Sequence, residues 1–117
     1  MSVTIEQAAS QPPESVLADL ARRYVFVTTL DVEPVENDPH WHGFDSEFVI
    51  VSGDLTLTDV ENEIKLSCGP GTRVHVPEGA GHSEFSTDGY RILLGTSVTP
   101  EQFGEPVNRP LSDSMRG

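Results

Sequence analysis

Between Tyr24 and Val98 the chain is cut into short runs of β-branched, aromatic and aliphatic residues, with a turn signal roughly every ten residues. YVFVTTL, EFVIVSG, DLTLTDV, EIKLSC, GTRVHVPEG, HSEFS and YRILLGTSV all suit strands, and DVEPVEN reads as a broken extended piece. The intervening VSGD, VENE, CGPG and STDG carry the Gly, Asp and Asn that tight turns require. In EIKLSC the alternation puts Ile64, Leu66 and Cys68 on one face and Glu63, Lys65 and Ser67 on the other. Short strands at this spacing build a sandwich or a barrel, so an all-β fold is expected. The one helical period lies upstream: Val16, Leu17, Leu20 and Ala21 share a face, predicting a short helix over 14–23 that docks on the domain by that face.

A chain of 117 residues has room for one such domain. The division expected is an N-terminal arm and helix over 1–23, the β domain over 24–98 and an irregular tail over 99–117. Residues 1–13 read as an arm that is either loose or packed on a partner subunit. A formal charge of −12, from 19 acidic against 7 basic residues, offers no basic stripe for phosphates, which excludes nucleic acid and anionic membranes as expected partners. Cys68 is the only cysteine, so no internal disulfide forms, and as a small hydrophobe in a strand it belongs to the core. The N-terminus has no basic segment followed by an apolar one, and the protein is expected to be soluble and cytoplasmic.

The residue cluster with most chemistry is DPHWHGFDSEFVIVSGD. Residues two apart in a strand point to one side, so His40 and His42 can present two imidazoles to one point while Trp41 faces away. Gly43 allows a sharp turn. Glu47 then shares a face with Val49 and Val51, which would set one carboxylate at the mouth of an apolar wall. A second segment, GTRVHVPEGAGH, places His82 after a strand and a Pro-x-Gly turn, where an antiparallel return can bring it opposite the first pair.

These two segments resemble the paired signatures of the cupin superfamily. HWHGFDSE followed by Gly53 is similar to the first, and Gly71, Pro77, Gly79 and His82 match the spacing of the second. Pro34, the position of Gly53 and Ser86 depart from the family pattern, all outside the presumed ligands. The resemblance implies a small single-domain double-stranded β-helix, or jelly-roll barrel. It further implies one divalent transition metal ion, held by His40, His42, Glu47 and His82. Imidazole nitrogen with one carboxylate suits Fe, named first, or Mn, Zn, Ni, Co or Cu, and disfavours Ca and Mg.

Further residues bear on function. Glu84, two beyond His82, faces the same way and is a candidate acid or base or a partner to the ligands. Tyr90 and Arg91 point to opposite faces of the last strand, so only one can reach the interior: Tyr90 as a proton donor, or Arg91 as a carboxylate clamp. His75 is expected outside with Arg73, opposite Val74 and Val76. Trp41, Phe44, Phe48 and Phe85 are expected as packing or pocket wall. The expectation for function is a metal-dependent enzyme acting on a small organic molecule, leaning to dioxygenase-type oxidoreductase chemistry. The alternatives are a non-catalytic binding module and an isomerase, decarboxylase or lyase. Sheet edges that need cover suggest a homodimer.

Overall fold

The structure, a computed structural model, describes residues 3–7, 12–104 and 107–111. In chain order it forms β1 (Thr4–Gln7), α1 (Pro13–Arg23), β2 (Phe26–Val32), β3 (Val35–Glu36), β4 (His40–Trp41), β5 (Ser46–Gly53), β6 (Leu55–Asp59), β7 (Ile64–Cys68), β8 (Thr72–Val76), β9 (His82–Ser86), β10 (Tyr90–Thr96) and β11 (Arg109–Pro110). A 3₁₀ turn covers Pro100–Gln102. Two antiparallel sheets face each other. One runs β1-β8-β5-β10-β2; the other runs β11-β4-β9-β6-β7, with β3 also on β9. No helix among the described residues is long and apolar enough to cross a membrane.

The all-β expectation holds, and the strand candidates all form. Between the sheets lies a core of Phe48, Ile50, Leu55, Leu57, Cys68, Val74, Val76 and Ile92. The α1 helix covers the outer side of the first sheet, where Val16 and Leu20 pack on Val49 and Leu93. It starts at a proline, which loses no hydrogen bond in a first turn, and it ends where Tyr24 turns extended. Strand β5 is therefore buried on both faces, Phe48 and Ile50 inward and Val49 outward.

Two chain ends expected outside the barrel join its sheets. β1 pairs with β8, so part of the arm extends the chain's own sheet. β11 pairs with His40–Trp41, and Trp41 Nε1 donates to the Pro110 carbonyl at 3.1 Å. The remainder of the arm and tail, at 1–2, 8–11, 105–106 and 112–117, lies outside the described residues. Two glycines are needed where they stand. Gly53 has a φ of +85°, and a Cβ there would lie 2.5 Å from the Gly89 carbonyl. At Gly95 a Cβ would come within 2.8 Å of the Tyr24 ring, which lies against the strand at that point.

Only part of the expected apolar face of β7 is covered: Cys68 is buried, while Ile64 and Leu66 stay exposed because β7 is a sheet edge. Phe85 is also exposed on the outside of its sheet, contrary to its expected place as packing or wall.

Candidate metal centre

Three of the four expected ligands converge. His40 lies directly opposite His82 across the β4–β9 pair, and His42 follows β4 by one residue. The loop after His42 is tied to the turn before His82: Gly79 N–H donates to the His42 carbonyl at 3.0 Å, and Glu78 N–H to Asp45 Oδ1 at 2.7 Å. The two sequence segments thereby become one site. The donor atoms of His40, His42 and His82 lie within 4.8 Å of one another.

Each imidazole is oriented by a backbone carbonyl. His40 Nδ1 pairs with the Asp38 carbonyl at 2.8 Å, His42 Nδ1 with Val107 at 2.9 Å and His82 Nδ1 with Ala80 at 2.9 Å. A carbonyl can only accept, so Nδ1 carries the proton in all three and Nε2 keeps its lone pair. Burial, with the neighbouring imidazoles adding to it, pushes His42 down to about 4. Burial likewise lowers His82.

Glu47 does not join them. Its carboxylate receives Arg23 on both oxygens, at 2.8 and 2.9 Å, Tyr24 Oη at 2.8 Å, and Arg73. Burial raises its pKa, but the hydrogen bonds from Arg23, Arg73 and Tyr24 outweigh that and bring it to about 2. The expected set Glu47, Val49 and Val51 does share a face, and that face is the one under α1. Inward-pointing residues of β5 are Ser46 and Phe48, so Ser46 stands in the cavity wall where the resemblance implied a carboxylate. The expectation of Glu47 as a ligand is corrected on these grounds: it points to the opposite side of the sheet, and its lone pairs are already taken.

The carboxylate that reaches the histidines is Glu84. One oxygen lies 3.5 Å from His40 Nε2 and the other 3.6 Å from His82 Nε2. Asn37 holds it in place, donating Nδ2–H to Glu84 Oε1 at 2.7 Å and accepting the Glu84 N–H at 2.8 Å. Neither Asn37 nor the Val107 carbonyl was visible from the sequence, where the first closed a broken extended piece and the second sat in the irregular tail.

Above these groups is a cavity of about 360 Å³. Of the pair left open by sequence, Tyr90 lines it and Arg91 does not: Arg91 is exposed and bonds Asp31 at 2.6 Å, so a catalytic role for Arg91 is corrected. Burial first, and then the charge of Glu84, push the Tyr90 phenol well above its ordinary pKa. Val76 lines the cavity while Arg73 and His75 face outward near Glu47, as expected. Phe44 and Phe48 are wall residues; Phe44 stacks on His42 at 5.1 Å and on Phe103 of the tail at 4.4 Å. Trp41 packs beneath the tail, with the Arg109 guanidinium 5.1 Å from its ring centre. The donors and the wall come from different sheets. His40, His82 and Glu84 belong to the β4-β9 side, whereas Leu30, Val32, Phe48, Val76, Tyr90, Ile92 and Leu94 belong to the sheet facing it.

Such a set can hold a transition metal. Three imidazoles, each held through Nδ1 by a backbone carbonyl, and one carboxylate converge at the foot of a cavity that leaves space for a further ligand.

No family model matches the chain, and neither does any curated protein. Solved structures do. A DUF861 family protein from Thermotoga maritima superposes with a TM-score of 0.57 at 19% identity, covering 80% of this chain and 97% of that one. The polyketide cyclase RemF from Streptomyces resistomycificus gives 0.56 at 18% identity, over 76% of this chain and 61% of that one. A TDP-quinovose 3,4-ketoisomerase from Campylobacter jejuni gives 0.56 at 15% identity, over 74% and 69%. At these identities the likeness is one of fold.

Proposed function

We propose that this chain, a small protein of the cupin fold, binds one divalent transition metal ion through His40, His42 and His82 with Glu84 as the carboxylate donor. It acts there on a small organic molecule held in the adjoining cavity. The observation that carries this reading is the tautomer set: all three Nδ1–H groups are committed to carbonyls, and three Nε2 lone pairs converge. Nitrogen lone pairs gathered at one point by rings held through their other nitrogen are what a bound transition metal ion requires.

The donor set suits Fe, with Mn, Zn, Ni, Co or Cu as alternatives. When bound, such an ion supplies Lewis acidity and, as iron, a redox centre, which favours oxidoreductase chemistry of the dioxygenase type. The protein's own contribution is specific. Asn37 holds Glu84 against the histidines. Tyr90 keeps its proton and can donate a hydrogen bond to an oxygen in the cavity. The apolar sheet opposite excludes water from the reacting face.

A second reading, metal-free acid–base isomerisation by Glu84, Tyr90 and the histidines, draws on the closeness of Glu84 to His40 and His82. Elemental analysis of the chain expressed with Fe, Mn and Zn separates the two. About one ion per chain is expected, falling below about a tenth in His42→Gln and His82→Gln and unchanged in Glu47→Gln. Less than about a tenth of an ion in the wild-type chain sinks the metal reading and leaves the second. We also propose a homodimer, for which the uncovered Ile64 and Leu66 on edge strand β7 are the support. Light scattering at micromolar concentration tests it, and a single-chain mass refutes it.

A further inference from the structure

The wall of the cavity carries information that the metal donors do not. Leu30, Val32, Phe48, Val76, Ile92 and Leu94 form its sheet side, joined by the neutral polar groups of Tyr90, Ser46 and Thr96. Among the described residues that line it there is no lysine and no arginine. The arginines among the described residues are turned elsewhere: Arg91 to Asp31, Arg22 to Asp19, Arg23 and Arg73 to Glu47, and Arg109 over Trp41. Among the described residues that line the cavity Glu84 supplies the one carboxylate, inside a chain of formal charge −12.

In the metal-free chain an anion entering this space would lose its hydration against an apolar wall with no guanidinium or ammonium to replace it, and it would meet the charge of Glu84. A divalent ion on the histidines would offset that charge, so the discrimination against anions is a property of the wall and is read in the metal-free chain. A neutral apolar molecule loses nothing of the kind. The volume, about 360 Å³, stands at the small end of the ~300–1,000 Å³ typical of ligand pockets.

We propose that the wall of the cavity favours a neutral, mainly apolar molecule about the size of one substituted ring over phosphorylated and carboxylate-bearing ones, and that such a molecule directs an oxygen toward the three histidines. The direction of the oxygen rests on the metal reading above; the preference for neutral apolar molecules rests on the wall alone.

The test is isothermal titration of the full chain, metal-free and zinc-loaded, with 4-ethylphenol, 4-ethylbenzoate and 4-ethylphenyl phosphate. In the metal-free protein 4-ethylphenol is expected to bind at least about tenfold more tightly than either anion. Leu30 lines the cavity yet is 43% exposed, so replacing it is expected to leave the fold intact, and Leu30→Arg is expected to weaken 4-ethylphenol and to narrow the gap to 4-ethylbenzoate. Zinc is expected to tighten 4-ethylphenol further. Either anion binding the metal-free chain as tightly as the phenol overturns the proposal. So does a phenol affinity unmoved by Leu30→Arg, or no phenol binding in either form. A chain that takes up no zinc yet keeps the phenol preference removes the metal reading and upholds the selectivity.

Discussion

His42 donates its Nδ1–H to the carbonyl of Val107, 65 residues further along the chain, at 2.9 Å. The tail thus orients one of the three converging imidazoles, and the Phe103–Phe44–His42 stack packs against the face of that ring. A chain ending at Val98 should keep its β-sheet circular dichroism while its zinc affinity falls about 10–100-fold, as for other groups that orient a ligand. Affinity equal to the full chain, read by competition with a chromophoric chelator, would show that the tail has no part in the site.

Glu47 is predicted to matter for stability and not for metal binding. Glu47→Gln should cost about 2 kcal/mol in urea unfolding, because Arg23 and Arg73 lose a charged acceptor. The pH dependence has a definite sign. With a folded pKa of about 2 against an ordinary 4.5, the unfolded chain binds more protons between those values, so this stabilisation is present above about pH 4.5 and is lost as pH falls toward 2. Glu47→Gln should flatten that part of the wild-type acid-unfolding curve.

In the metal-free protein the His42 imidazole should titrate near pH 4, well below its ordinary 6.5. Folding then holds it neutral while the unfolded chain takes up a proton, and stability declines as pH drops from about 6.5 to 4. The His42 ring resonances, followed by NMR, give the midpoint directly; a value near 6.5 would mean that the ring is not buried among its neighbours.

Asn37 is predicted to be a positioning residue for Glu84. Asn37→Ala removes both contacts and should weaken metal binding by about tenfold. Asn37→Asp keeps an acceptor for the Glu84 N–H but loses the Nδ2–H donor and sets a second carboxylate against the Glu84 side chain, and should weaken metal binding at least as much as Asn37→Ala. Metal affinity equal to that of the wild-type chain in both variants would remove Asn37 from the site.

Much of the architecture was legible because period and punctuation agreed. DLTLTDV alternates strictly and forms β6 with Leu55, Leu57 and Asp59 buried, and the helical face of PESVLADLARR packs through Val16 and Leu20. The three histidines were legible as well, from the two-residue spacing of one pair and the turn before His82. The choice of carboxylate was not. Alternation tells which residues share a face, but it identifies the inner face only where the other one is polar. In EFVIVSG both faces are apolar, one packed on the core and one on α1, so nothing in the pattern says whether Glu47 or Ser46 looks inward.

Tyr90 and Arg91 are decided by tertiary context for a related reason: which face of β10 turns inward depends on the pairings with β5 and β2 on its two sides, not on its own residues. The tail was read as irregular since its two-residue strand and short 3₁₀ turn have no period to detect; they exist through contacts with His42, Phe44 and Trp41. Likewise β1 is four residues long and owes its conformation to β8.

That the donors come from one sheet and the apolar wall from the facing one bears on how such a protein can change. Substitutions at Leu30, Val32, Ile92 or Leu94 reshape the space offered to an incoming molecule without moving the strands that carry His40, His82 and Glu84. Selectivity and ligation can therefore drift separately: one half of the barrel is free to explore new guests while the other keeps its chemistry.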